Sequence, residues 1–186
     1  MSRLAQVLAR IDAANDQDPS LEDGQPANRL YGERMSAELA RLFPEASEVL
    51  QICARGQHVE RWLLPREDYP EGRAGYLAWR QEQGRRHAAR IEEFMADAGY
   101  GAEEMAQAGR MLRKEGIKRD AEVQALEDVI CFVFLRWYFG DFATEREPAG
   151  LLRIVEKTAR KMSAEGRARA LAEFELPEPF AAAFRD

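Results

Sequence analysis

Residues 123–139, Val-Gln-Ala-Leu-Glu-Asp-Val-Ile-Cys-Phe-Val-Phe-Leu-Arg-Trp-Tyr-Phe, form the most apolar stretch of the chain, and Glu127 and Asp128 stand side by side near its start. A helix that is hydrophobic on nearly every side belongs in the middle of a bundle. A carboxylate carried there costs on the order of several kcal/mol unless it is protonated, ion-paired or metal-bound. The segment therefore calls for a helical bundle packed around it and for partners to its two acids. The only two histidines, His58 and His87, fall in other predicted helices, surrounded by arginine.

Helical periodicity accounts for most of the remaining chain. Leu4, Val7, Leu8 and Ile11 predict a first helix, and the polar run from Asn15 to Pro26 predicts a loop. A second helix is predicted from about Asn28 to Phe43, and a third over about residues 44–62 with Arg55, His58, Arg61 and Trp62 along one stripe. Pro65, Pro70 and Gly72 make 63–72 a loop, unusual for carrying Arg66, Tyr69 and Arg73. A long helix over 74–98 aligns Tyr76, Arg80, His87, Ile91 and Phe94, followed by helices over about 102–115, 121–142, 148–164 and 166–175. The terminal Pro-Glu-Pro-Phe reads as loosely packed, and strand signals are almost absent. The expectation is one all-α domain over residues 1–186, a single-domain bundle of about seven helices.

Composition narrows the partners. The net charge of −6 argues against a general nucleic-acid binder, whose domain is usually basic. Yet from Arg55 to Arg90 there are eight arginines against five carboxylates, a local excess suited to bidentate binding of carboxylate or phosphate. Cys53 and Cys131 lie in apolar helical patterns without metal-ligand spacing, which predicts two buried free thiols. The amphipathic N-terminus lacks a signal-peptide core, and no segment reaches the roughly 20 apolar residues of a membrane span. A cytoplasmic protein with no membrane partner is the expectation; the sequence leaves the oligomeric state open.

Three constellations carry candidate chemistry. His58, His87, Glu127 and Asp128 supply two imidazoles and two carboxylates, a set able to hold a divalent metal ion or to run acid-base chemistry. The plainer alternative is that the histidines are satisfied at helix contacts and the acids pair with arginines. The basic-aromatic run from Arg55 to Arg86 could hold phosphate with its guanidiniums and stack a base on Trp62, Tyr69, Tyr76 or Trp79; its alternative is charge neutralisation and core filling. Lys-Met-Ser at 161–163 matches part of a class I aminoacyl-tRNA synthetase signature, but no His-Ile-Gly-His element or strand-helix alternation accompanies it. Lys157, Arg160 and Lys161 read instead as a solvated basic helix face.

Gly-Gln-His-Val-Glu-Arg-Trp (56–62), Pro-Arg-Glu-Asp-Tyr-Pro-Glu-Gly-Arg-Ala-Gly-Tyr-Leu-Ala-Trp-Arg (65–80), Leu-Glu-Asp-Val (126–129) and Arg-Lys-Met-Ser (160–163) resemble a bacterial and fungal family, domain of unknown function 4202. Some of its members carry a glutamyl-tRNA synthetase label. The resemblance covers nearly the whole chain from Ile11. A more distant similarity is to histidine-aspartate (HD) phosphohydrolases, all-α domains in which histidines and aspartates from successive helices bind metal. In that comparison Tyr31-Gly-Glu-Arg-Met stands at the start of the first metal helix, Gln57-His58 at the His-Asp pair and Asp128 at the last aspartate. The ligand identities depart at the first two positions, so the similarity implies a degenerate HD-like fold.

These lines converge on metal-assisted hydrolysis, or binding alone, of a phosphorylated small molecule such as a nucleotide. The expected catalytic residues are His58, Glu127 and Asp128; the expected ligand-binding residues are Arg34, Arg61, Arg66, Arg73, Arg80 and Tyr69. His58, His87 and Asp128 would hold one divalent metal ion. The competing expectation is a non-catalytic helical module that senses an anion or binds a protein partner.

Overall fold

The computed structural model describes residues 1–145 and 147–185. The all-α class holds: apart from one two-stranded hairpin, the regular elements are helices. The chain forms two compact units, Met1–Gly116 and Ile117–Asp186.

The first unit contains α1 (Arg3–Asn15), the hairpin β1 (Leu21–Glu22) and β2 (Gln25–Pro26), α2 (Ala27–Leu42), α3 (Glu48–Arg55), α4 (Gly72–Asp97) and α5 (Ala102–Leu112). Ser2 and Ser47 start α1 and α3 by accepting the backbone N–H of Ala5 and Leu50, the usual remedy for the unpaired donors of a first turn. Val7 and Ile11 of α1 meet a core of Met35, Ile52, Ile91, Met95 and Met111, all fully buried. Helix α4 lies along α5, and Gly84 permits the approach: a Cβ there would stand 3.2 Å from the Leu112 carbonyl oxygen. The hairpin was not expected. Its turn residues, Asp23 and Gly24, both have positive φ, the backbone that favours Asp-Gly in a two-residue turn.

Helix α3 is also shorter than the sequence predicts. Ser47, not Pro44, sets its start, and Gly56 is its C-cap, the last residue to donate its N–H in the helical pattern, to the Ile52 carbonyl. A Cβ at Gly56 would stand 2.4 Å from Ile91 Cδ1, so α3 ends pressed against α4. The chain then turns through Glu60, held at φ +52° with its N–H donated to Asn15 Oδ1, and makes one 3-10 turn over Arg61–Leu63. His58, Arg61 and Trp62 are therefore carried on a turn, not on a helical stripe. The loop over 63–72 is tied by Arg66, which donates to the carbonyls of Tyr69 and Pro70.

The second unit is built on α6 (Ala121–Val133), which runs through a π-helical turn, Phe134–Tyr138, into α7 (Phe139–Thr144). Asp120 caps α6 by accepting the N–H groups of Glu122 and Val123. Helix α8 (Pro148–Lys161) begins with proline, whose missing N–H costs nothing in a first turn. Helices α9 (Ala164–Glu173) and α10 (Phe180–Arg185) follow. Of the terminal Pro-Glu-Pro-Phe, Pro177, Glu178 and Pro179 are exposed as expected, and Phe180 begins α10, where Ala181 and Phe184 are buried. Both cysteines are buried free thiols, as their patterns predict. Among the described residues no helix is long and apolar enough to cross a membrane.

Candidate functional site

The two acids that open the sequence argument find their partners inside the second unit. Both are buried. Asp128 accepts the backbone N–H of Ser163 at 2.8 Å, the Ser163 hydroxyl and the Gln124 amide at 3.1 Å. The same Ser163 hydroxyl caps α9 by accepting the Gly166 N–H, so Asp128 reinforces a helix N-terminus. Glu127 has Lys161 Nζ at 3.8 Å. Lys-Met-Ser thus has a structural use: Lys161 answers Glu127, Met162 enters the core and Ser163 locks to Asp128.

The first unit carries a different feature, a cleft of about 450 Å³ between the turn after α3, the middle of α4 and the end of α5. His58 stacks on the Tyr31 ring of α2, centroids 3.8 Å apart and planes 11° from parallel. The His87 ring of α4 follows at 6.4 Å from His58. Arg61 lies over the Trp79 indole at 4.5 Å, a cation-π contact. Its backbone is fixed from α4: Gln83 Nε2 donates to the carbonyls of Arg61 and Leu64, and Trp79 Nε1 also donates to Leu64. Two residues with positive φ stand at the margins, Glu60 before Arg61 and Lys114 at the end of α5, where a glycine would be unstrained.

Charge in the cleft is lopsided. Arg85 is paired with Glu82 and Arg113 with Glu115. Among the described residues neither Arg61 nor Arg80 has a carboxylate partner; Arg80 reaches only the Tyr76 hydroxyl, at 3.4 Å. Burial, and then neighbouring Arg80, draw the Arg61 guanidinium below its ordinary value, yet an arginine remains a cation. Burial, then the Arg61 and Arg80 charges, pull His87 down to about 3. The same causes, burial first and Arg61 next, push His58 well below 6.5. Both imidazoles are consequently neutral at pH 7, beside two cations.

Of the residues singled out from sequence, His58, Arg61, Arg80 and His87 line this cleft. Arg34 is spent on Glu22 and Asp23 of the hairpin, Arg66 on backbone carbonyls, and Arg73 is exposed at the start of α4. None of these three, nor Tyr69, is among the lining residues. Sequence reasoning did not count Gln57, Gln81, Gln83 and Lys114 as site residues, although Gln57 entered the HD comparison beside His58. Gln83 had a signal, since Trp79, Gln83 and His87 recur at i, i+4, i+8 on α4.

A family model described as Domain of unknown function (DUF4202) matches residues 5–183. The chain belongs to the DUF4202 family. No curated protein and no solved structure matches it. Leu-Glu-Asp-Val and Arg-Lys-Met-Ser, two of the segments that carried the resemblance to DUF4202, meet through Asp128 and Ser163, so in this chain they form an architectural lock. Among the described residues no three His, Cys, Asp or Glu side chains converge as a metal-ligand set. His58 and His87 belong to the first unit, and the oxygens of Asp128 are engaged in the second. The side chains present do not fit the expected metal ion.

Proposed function

We propose that the cleft of this DUF4202 protein binds a phosphorylated small molecule. The observation that carries the reading is Arg61, a partly buried guanidinium with no carboxylate among the described residues to neutralise it. Folding a cation into such a place without a partner is costly, and a phosphate returns the lost interaction as charge-assisted hydrogen bonds. Arg80 and Lys114 add charge on the same cleft, and the neutral imidazoles of His58 and His87 add groups that can share a proton with phosphate oxygens. Nucleotides belong to this ligand class.

The distant HD comparison is compatible with this reading, since Tyr31, set against its first metal ligand, stacks on His58 of the Gln57-His58 pair set against its His-Asp. In a hydrolytic version of the reading, neutral His58 would be the group to accept a proton from an attacking water, its lowered pKa making it a weak base. The two buried thiols suit a reducing, cytoplasmic setting.

The test is a panel of phosphate esters and inorganic phosphate, read by melting temperature and by phosphate release with and without Mn²⁺. Binding raises the melting temperature of the native protein and is lost on Arg61→Gln. Release of phosphate that disappears in His58→Ala extends the reading to hydrolysis. A ligand-dependent rise without release makes the cleft an anion sensor, and no rise with any ester refutes the proposal.

A further inference from the structure

The cleft holds a second set of unmet groups, of opposite chemistry to its arginines. Gln57 Oε1, Gln83 Oε1 and His87 Nε2 are buried without a hydrogen-bond partner among the described residues, and all three residues line the cleft. The orientation of Gln83 is not arbitrary: its nitrogen is committed to two carbonyls, so the oxygen is the atom left over. His87, neutral because of burial and the adjacent arginines, offers a nitrogen lone pair when its proton sits on Nδ1. Buried acceptors of this kind are rare, and each calls for a donor. A bare phosphate has little to give them.

Three features define what does. The Gln83 oxygen is an acceptor because its nitrogen is committed, and His87 Nε2 is one in the Nδ1–H tautomer, so the non-phosphate part of the ligand carries hydroxyls that donate to them. The lining contains no Trp, Tyr or Phe, since the Trp79 face is covered by Arg61 and the Tyr31 face by His58; a nucleobase would have no such platform to stack on. Arg61 and Arg80, the two lining arginines without a carboxylate among the described residues, suffice for a phosphomonoester, which carries about −1.5 to −2 at pH 7.

Resting on the phosphate reading above, we infer that the ligand is a monophosphorylated polyol such as a sugar phosphate, its phosphate held by Arg61 and Arg80 and its hydroxyls by Gln57, Gln83 and His87. The cleft volume of about 450 Å³ lies within the range of small-molecule sites. Binding supplies donors to acceptors that folding left unmet. The hydroxyls therefore contribute affinity beyond the phosphate, and a ligand that lacks them forfeits it.

Isothermal titration of the full chain with glucose 6-phosphate, inorganic phosphate, glucose, AMP and ATP tests the inference. Glucose 6-phosphate is expected to bind at least about tenfold more tightly than inorganic phosphate and than either nucleotide. Gln57→Leu, which removes a buried unmet oxygen and so leaves the fold no worse off, is expected to bring the ratio of glucose 6-phosphate to phosphate affinity toward one; His87→Leu does the same from α4. Equal affinity for glucose 6-phosphate and phosphate, or tighter binding of AMP or ATP, overturns the polyol assignment while leaving a phosphate site in place. If none of the phosphorylated probes binds, the phosphate reading falls and the polyol assignment falls with it.

Discussion

The Asp128 carboxylate accepts hydrogen bonds from both the backbone N–H and the hydroxyl of Ser163, and through that hydroxyl it is coupled to the first turn of α9. A buried acid in an apolar helix is thereby satisfied by a helix N-terminus. Gly166 is part of the fit, because a Cβ there would stand 2.9 Å from the carboxyl group. Asp128 thus has an architectural role within the second unit.

Asp128→Ala should therefore cost about 2–3 kcal/mol of stability, the sum expected for a lost charged hydrogen bond and a weakened helix cap. Urea denaturation measures it. Ser163→Ala should cost about 1 kcal/mol, and the double variant less than the sum of the two, since both side chains act in one lock. Strict additivity would contradict the coupling.

Lys114 offers a case in which stability and binding move in opposite directions. It occupies a left-handed position at the end of α5 with φ +60°, where a side chain costs about 1 kcal/mol. Lys114→Gly should raise the unfolding free energy by roughly that amount, while removing a cation from the cleft and weakening phosphate-ester binding several-fold. A variant less stable than the native protein would show that the lysine is held for structural reasons.

His87 gives the fold a pH dependence of definite sign. Its pKa is about 3 in the folded protein against 6.5 when unfolded. Between those values the unfolded chain binds the extra proton, so stability rises with pH there and is progressively lost as pH falls below about 6.5. The slope from this one group is about 1.4 kcal/mol per pH unit. Chemical denaturation between pH 7 and pH 5 should show a steeper loss in the native protein than in His87→Leu. Parallel curves would mean that His87 is accessible to protons in the folded state.

Gly75 tests the loop that leads into α4. A Cβ at this position would lie 1.9 Å from the Pro70 carbonyl oxygen, and that carbonyl is fixed by Arg66. Gly75→Ala should destabilise by about 2 kcal/mol or more, visible as a lower melting temperature. An unchanged melting temperature would show that the segment over 66–75 is free to shift.

The sequence makes the helical class and the burial of Glu127 and Asp128 legible because apolar periodicity and composition report directly on which faces are covered. It is silent on who covers them. Asp128 and Ser163 are 35 residues apart, and nothing local to either predicts their meeting. The end of α3 was missed for a related reason: the stripe of Arg55, His58 and Arg61 has helical spacing, while the stop at Gly56 comes from the close passage of Ile91. Asp23-Gly24 was a readable hairpin signal that the weak flanking strands obscured. Of the cleft, the histidines and two arginines stood out because the only two histidines fall within the local excess of arginine. The glutamines did not, since a buried amide is recognisable only once its partners, or their absence, can be seen.

The most direct test of the central claim is isothermal titration of glucose 6-phosphate and inorganic phosphate into the native protein and Arg61→Gln, at low salt and again at higher salt. If Arg61 is the cation that folding leaves for a ligand, native binding weakens with salt and the substitution reduces affinity by about tenfold to a hundredfold, as expected for losing a charge-assisted contact. Equal affinity in native protein and variant would contradict the account.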